Sequence, residues 1–316
     1  MTIQTLYQYA KVEIDKVIKG KTDAKAVLFA TFLAGGNVLV EGAPGLAKTL
    51  LARSLARTLG LGFSRIQFTP DLMPSDIVGT NVYNQKMSAF EFKHGPIFSN
   101  FIHADEINRA PAKTQAALLE AMEERQVTID NNTFLLPDVF MVFATQNPIE
   151  YEGTYMLPEA QTDRFMVRIV MDYPSVEEEQ EVLKLALSLQ RDLTAFITPL
   201  PDAAALLQAA KQELATIVVD EKIITYVRDL VRATREMPDI ALGNSPRSGQ
   251  MLLRLARAYA PLAGSDYVTP DHIRELVPVV LPHRWILKPE TLINKTPLSH
   301  LLRGLFSRVP VPTLWA

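Results

Sequence analysis

The apolar positions of the chain change period along its length, and each change marks a different kind of element. Ile3, Leu6, Tyr7, Ala10, Ile14, Val17 and Ile18 recur near helical spacing, and Gly20 is a stop signal. A second helix is predicted over 23–33, ended by Gly35 and Gly36. Then Val38, Leu39 and Val40 form a short apolar run that enters Gly42-Ala43-Pro44-Gly45-Leu46-Ala47-Lys48-Thr49. Leu50, Leu51, Leu55 and Leu59 follow, so the order is strand, glycine-bearing loop, helix. Further β-like runs are predicted at 65–69, 98–104, 139–145 and 165–170. Helical segments separate most of them, the clearest being 112–124 with Pro111 at its first turn. This alternation implies an α/β fold with a parallel sheet covered on both faces. Two segments break the rhythm and read as β-hairpins: 79–93, and 126–136 turning at Asn131-Asn132.

After Tyr173-Pro174 the β signal stops. Helical patterns at 176–188, 201–215, 220–234, 246–260 and 270–281 predict a second, all-helical domain over 176–316, behind a first domain over 1–175. The tail from Pro289 is punctuated by proline and matches no motif. A chain of 316 residues fits two domains at the usual allotment of about 100–200 residues each.

Composition narrows the chemistry. Lys plus Arg number 32 against 35 Asp plus Glu, so there is no global basic footprint for nucleic acid or an anionic membrane. The absence of cysteine excludes disulfides, thiolate zinc sites, iron–sulfur clusters and cysteine nucleophiles. The five histidines are scattered without metal-ligand spacing. The longest apolar stretch, near 26–33, is far shorter than the ~20 residues of a membrane span. The first residues lack the layout of a signal peptide, so a cytoplasmic protein is expected.

The loop at 42–49 carries the strongest chemical signal. Such a loop wraps backbone N–H groups around phosphates at a helix N-terminus, where the helix dipole also favours negative charge. Gly42 and Gly45 let the backbone turn sharply, Lys48 would reach the β- and γ-phosphates, and Thr49 would offer its hydroxyl to Mg²⁺. Ala47 replaces the usual glycine, which is tolerable if this residue already has helical dihedrals. Downstream, the strand Phe101-Ile102-His103-Ala104 ends in Asp105 and Glu106, where ligands bind in open α/β sheets. Asp105 would hold Mg²⁺, largely through water, and Glu106 would orient the attacking water. Asn147, ending another strand, could position the same water or sense the γ-phosphate. His103 is read as a packed strand residue.

These residues together resemble the AAA+ ATPases, and more closely the MoxR family. The matching stretches are EGAPGLAKTLLARSLA, QFTPDLMPSDIVGTNVYN, FEFKHGPIF, ADEINRAPAKTQAALLEAMEERQVT, FATQNPIEYEGTYMLPEAQTDRF and NSPRSGQ, in order from about Asn37 to Gln250. The resemblance implies a P-loop αβα nucleotide domain with a five-stranded parallel sheet, a C-terminal helical lid, and assembly into a homo-oligomeric ring, typically a hexamer. It makes Gly42, Ala43, Pro44, Gly45, Leu46, Ala47, Lys48, Thr49 and Leu50 the ATP loop, Asp105 and Glu106 the Walker B pair, and Asn147 sensor 1. It makes Arg247 sensor 2, a lid cation on the γ-phosphate, and Arg164 the arginine finger offered to a neighbour; Arg168 could substitute, and Arg109 is another intersubunit candidate. The hairpins match the helix-2 and presensor-1 inserts, which face the ring's pore or remodelling surface. Adenine contacts fall at Val17, Ile18 and Gly20, although this chain has Lys19-Gly20-Lys21 where relatives often read Val-Gly-Gln.

The function so implied is Mg²⁺-dependent ATP hydrolysis by a chaperone-like remodelling factor, whose client could carry a von Willebrand factor A-type domain. Two alternatives are a DNA-acting motor, which the pI near 6.0 disfavours, and a nucleotide-gated scaffold, which Glu106 and Asn147 disfavour. A GTPase reading fails because Asn294-Lys295-Thr296-Pro297 lies far into the helical region. Ser248-Gly249-Gln250 matches part of an ABC-transporter signature only by coincidence.

Overall fold

In the computed structural model, residues 2–130, 132–147, 155, 157–187 and 192–313 are described. The chain opens with α1 (Thr2–Asp15) and α2 (Thr22–Leu33), then β1 (Val38–Gly42), α3 (Lys48–Thr58) and β2 (Phe63–Gln67). A short α4 (Pro74–Val78) leads into the hairpin β3 (Gly79–Asn84) and β4 (Ala89–His94). Next come β5 (Phe101–Asp105), α5 (Ala112–Glu124), the hairpin β6 (Gln126–Ile129) and β7 (Asn132–Leu135), and β8 (Met141–Gln146). A short α6 (Glu159–Thr162) precedes β9 (Val167–Met171). The C-terminal region holds α7 (Val176–Ala186), α8 (Ala203–Thr216), α9 (Glu221–Thr234), β10 (Ile240–Leu242), α10 (Pro246–Tyr259) and α11 (Pro270–Val280). It ends with β11 (Ile286–Leu287), α12 (Pro289–Ile293) and α13 (Leu298–Arg308).

The five strands β2-β5-β8-β1-β9 form one parallel sheet in that order. Its central strands are buried on both faces, which is why they read as continuous apolar runs. Alternation then splits one strand between two cores. Val38, Val40, Phe101 and Phe143 face a core shared with α1, α2 and α3. Leu39, Ile102, Ala104, Val142 and Ala144 face a second core with Leu118, Leu119 and Met122 of α5. Helix α2 is apolar nearly all round and buried accordingly.

Two expectations shift. In the hairpin at 126–136, Ile129 pairs with Asn132, so Asn132 belongs to the strand rather than to the turn. Asp130 has the left-handed conformation (φ 47°) that a tight two-residue loop needs at its first position, while residue 131 lies outside the described residues. The C-terminal region, predicted as helices alone, also carries the antiparallel pair β10–β11, two strands too short to give a period. Among the described residues no helix is long and apolar enough to cross a membrane.

Candidate nucleotide site

Parallel pairing aligns the carboxyl ends of β1, β5 and β8 at one edge of the sheet. The loop leaving β1 and the acids ending β5 therefore meet there, with the end of β8 between them, although they are far apart in sequence. A cavity of about 400 Å³ results, lined by residues from Pro44 to Leu50 together with Asp105, Glu106, Thr145, Gln146 and Asn147. Gly42 and Ala43 border it from behind: Lys48 Nζ donates to Gly42 O (2.5 Å) and Ala43 O (3.2 Å). Gly42 has no room for a side chain, since a Cβ would lie 2.7 Å from Met171 O.

Ala47 does not have helical dihedrals. It sits in the left-handed region (φ 58°, ψ 26°), as does Gly45 (φ 83°). The loop must reverse its backbone just before α3 begins, and an L-residue there carries a steric cost of about 1–2 kcal/mol.

The acids are held by residues with no motif to announce them. Thr145 Oγ1 donates to Asp105 Oδ1 (2.6 Å) and accepts from Glu106 N (3.0 Å), so one hydroxyl ties both acids together. Arg65 of β2 donates from Nε (3.1 Å) and Nη2 (2.6 Å) to Asp105 Oδ2. Burial opposes ionisation of Asp105, but the Thr145 bond, His103 and Arg65 outweigh it and hold the carboxyl below its usual value. Gln67 Nε2 donates to Glu106 Oε2 (2.8 Å), and Arg109 Nε lies 3.2 Å from the same oxygen. Glu106 itself is left-handed (φ 55°, ψ 50°), a strained backbone that turns the chain away from β5. The only sequence signal for Arg65 and Gln67 was two polar residues at alternate positions in a strand.

His103 is buried between Phe63 and Phe143, with Nε2 3.6 Å from Asp105 Oδ1. Burial drives its pKa down to about 4 against the pull of Asp105, so the ring is neutral.

Ile18 and Gly20 lie apart from the phosphate cavity's lining. Ile18 O accepts from the buried Lys25 Nζ (2.8 Å), and Gly20 (φ 63°) packs against the Glu178 carboxylate of α7. Arg164 and Arg247 are also outside that lining and meet each other instead. Arg164 Nε is 3.2 Å from Glu123 Oε2 and Arg247 Nη1 is 3.0 Å from Glu123 Oε1. Within one chain, Arg247 therefore sits with Arg164 on Glu123 rather than over the loop at 42–49. Arg168 lies 3.6 Å from Glu41, which also accepts from Gln146, so it is tied into the sheet.

The chain matches the model of the "ATPase family associated with various cellular activities (AAA)" over residues 37–167 and of the "AAA lid domain" over 232–298. It is 42% identical to Chaperone MoxR1 of Mycobacterium tuberculosis over 95% of this chain and 81% of that one. It is 31% identical to Protein MoxR of Methylorubrum extorquens over 95% of this chain and 93% of that one. The chain belongs to the MoxR family of AAA+ ATPases. The Bacillus subtilis protein YeaC is similar too, at 46% identity over 95% of this chain and 92% of its own. A crystal structure of a candidate ATPase from Cytophaga hutchinsonii superposes with a TM-score of 0.90 at 40% identity, covering 98% of this chain and 96% of that one. The MoxR fold thus accounts for the five-stranded sheet and the helical C-terminal region together.

Proposed function

We propose that this MoxR-family ATPase hydrolyses Mg-ATP at sites shared between subunits of a homo-oligomeric ring, a hexamer by family resemblance, and uses the turnover to remodel a client protein. One observation carries the reading. The phosphate loop, both acids and Asn147 share one cavity, while Arg164 and Arg247 stand together outside it on Glu123. A chain built this way supplies the binding and base groups of one site and the cations of the next.

In this mechanism the backbone N–H groups of 45–49 and the Lys48 ammonium hold the β- and γ-phosphates. The donor set also suits Mg²⁺: the Thr49 hydroxyl and the Asp105 carboxylate, held ionised by its neighbours, line the same cavity. A bound Mg²⁺ would neutralise phosphate charge. Glu106 accepts a proton from the water whose oxygen attacks the γ-phosphorus, Asn147 positions that water, and the bond to the β–γ bridging oxygen breaks to leave ADP. Arg164 and Arg247, from the neighbouring subunit, take up the charge that develops; arginine fingers contribute roughly 10³–10⁵ in rate. Ile18 and Gly20 border the adenine, and 1–175 and 176–316 act as core and lid.

The tip of the β3–β4 hairpin supports the client reading. Tyr83 and Phe90, a cross-strand pair, pack edge to face (5.3 Å), and both are exposed, as is Met87 at the turn. An apolar cluster at a hairpin tip suits contact with another protein. A von Willebrand factor A-type domain is the client class that family resemblance favours, in the cytoplasm and without nucleic acid. Phosphate release measured against protein concentration tests the reading. Turnover per subunit should rise with concentration and vanish in Glu106→Gln; equal activity in a dilute monomer would overturn the shared site.

A further inference from the structure

Helix α7 and the groove between α9 and α10 carry complementary features. Helix α7 buries none of its residues. Val176, Leu183 and Leu187 follow one another at helical spacing along its outer side, and Leu183 is 64% exposed. Its sequence carries four glutamates against one lysine. Glu178 is turned inward to Ser175 and Gly20, and Glu181 pairs with Lys184. Glu177 and Glu179 remain on the exposed part of its first turn.

The lid presents the converse. A groove of about 300 Å³ runs between α9 and α10, its floor made of Val227, Val231 and Leu253. Gly249 lies against that floor, its Cβ position 3.4 Å from Val231 Cγ2, an ordinary packing contact. Arg228 and Arg232 of α9 and Arg235 just past its end edge one side and are exposed, although Arg235 Nε also donates to Asn244 O (2.8 Å). Arg228 is partly neutralised by Asp229 at 2.8 Å. An apolar slot with a basic rim is thus the chemical complement of an apolar helix with an acidic start, the pairing used in helix-in-groove recognition.

We propose that α7 of one copy docks into the α9–α10 groove of a second copy. This rests on the ring reading above and adds the contact that holds it. The two surfaces are different patches, so the contact is head-to-tail, the type that closes into rings. It also has the right neighbours. Pro246 ends the groove and immediately precedes Arg247, while Glu178 of α7 touches Gly20 beside the proposed adenine site. Docking therefore brings Arg247 of one copy toward the nucleotide of the next.

The cysteine-free chain makes the test clean. Full-length Leu183→Cys and Gln250→Cys proteins are mixed with ATP and oxidised, and the same samples are sized by mass. The mixture is expected to give a covalent dimer that neither protein gives alone. Adding Arg232→Glu to the Gln250→Cys protein should lower the yield roughly tenfold or more, because like charges then face each other. Adding Glu179→Arg to the Leu183→Cys partner should restore it. A ring by mass without the cross-link, or a yield unmoved by charge reversal, overturns the docking but leaves the ring. A monomer at every concentration with ATP overturns both.

Discussion

Gln67 Nε2 donates to Glu106 Oε2 at 2.8 Å, so the proposed catalytic carboxylate is leashed to the neighbouring strand. Arg109 Nε lies 3.2 Å from the same oxygen, and Glu106 lines the cavity. Gln67→Ala removes one holding bond, worth about 1 kcal/mol and hence roughly a fivefold effect on rate. The expected outcome is faster client-free ATP turnover with unchanged nucleotide affinity. Steady-state phosphate release paired with nucleotide titration checks it, and a slower Gln67→Ala enzyme would mean that Gln67 aims Glu106 rather than restrains it.

Arg164 and Arg247 share Glu123 and lie off their own phosphate cavity. Two inactive proteins should then complement each other. Glu106→Gln retains the arginines and Arg164→Ala retains the intact base, so a mixture builds some complete sites. Each alone should lose most turnover, on the scale of roughly 10³ for a missing finger. Mixing them at equal amounts should recover a measurable fraction, and a mixture as inactive as its components would place Arg164 outside the neighbour's site.

Ala47 pays for its left-handed backbone with a Cβ contact that glycine lacks. Ala47→Gly should gain about 1 kcal/mol from this relief, offset in part by the greater freedom of glycine in the unfolded chain. A small rise in the urea midpoint is expected, with ATP binding retained. A marked drop would show that the loop gains more from the alanine methyl than it loses.

The buried Arg284 joins the lid to the segment that carries Arg164. Its Nε donates to Asp163 Oδ1 (2.7 Å), its Nη2 to Phe165 O (2.5 Å), and its Nη1 to Val280 O. Arg284→Met leaves two buried carbonyls and Asp163 short of a donor, a loss of about 3 kcal/mol. Denaturant unfolding should show this, and turnover should fall further than stability alone explains, because Asp163 adjoins Arg164 and lies 3.8 Å from Arg247.

His283 is buried against Phe165 O, and desolvation, with Arg284 and Arg168 nearby, holds its pKa well below the usual value. The unfolded chain then binds more protons below pH about 6.5, so this contribution is complete above that pH and is lost as pH falls toward the folded pKa. Thermal unfolding of the wild type should weaken through this window, and His283→Gln should flatten the slope there. An unchanged slope would assign the acid sensitivity to other groups, His103 first among them.

Sequence by itself determined the strands of the parallel sheet and of the two hairpins, most helices and the order of the chemistry, because period and local motif are properties of neighbours along the chain. Helix 112–124 appears as α5 at the predicted bounds, and the loop at 42–49 joins β1 to α3 as read. What the sequence left open are relations across the sheet or between the sheet and the lid. Arg65 and Gln67 were merely polar positions in a strand until parallel pairing set Gln67 opposite Asp105. Ala47 matched the family loop, but its dihedrals depended on how that loop turns into α3. The grouping of Arg164 with Arg247 needed the placement of α10, since residues 83 positions apart meet only through Glu123 of α5. Local propensity encodes elements; which charges face which is decided by packing, and here packing sets Arg164 and Arg247 on Glu123 rather than at the loop of 42–49.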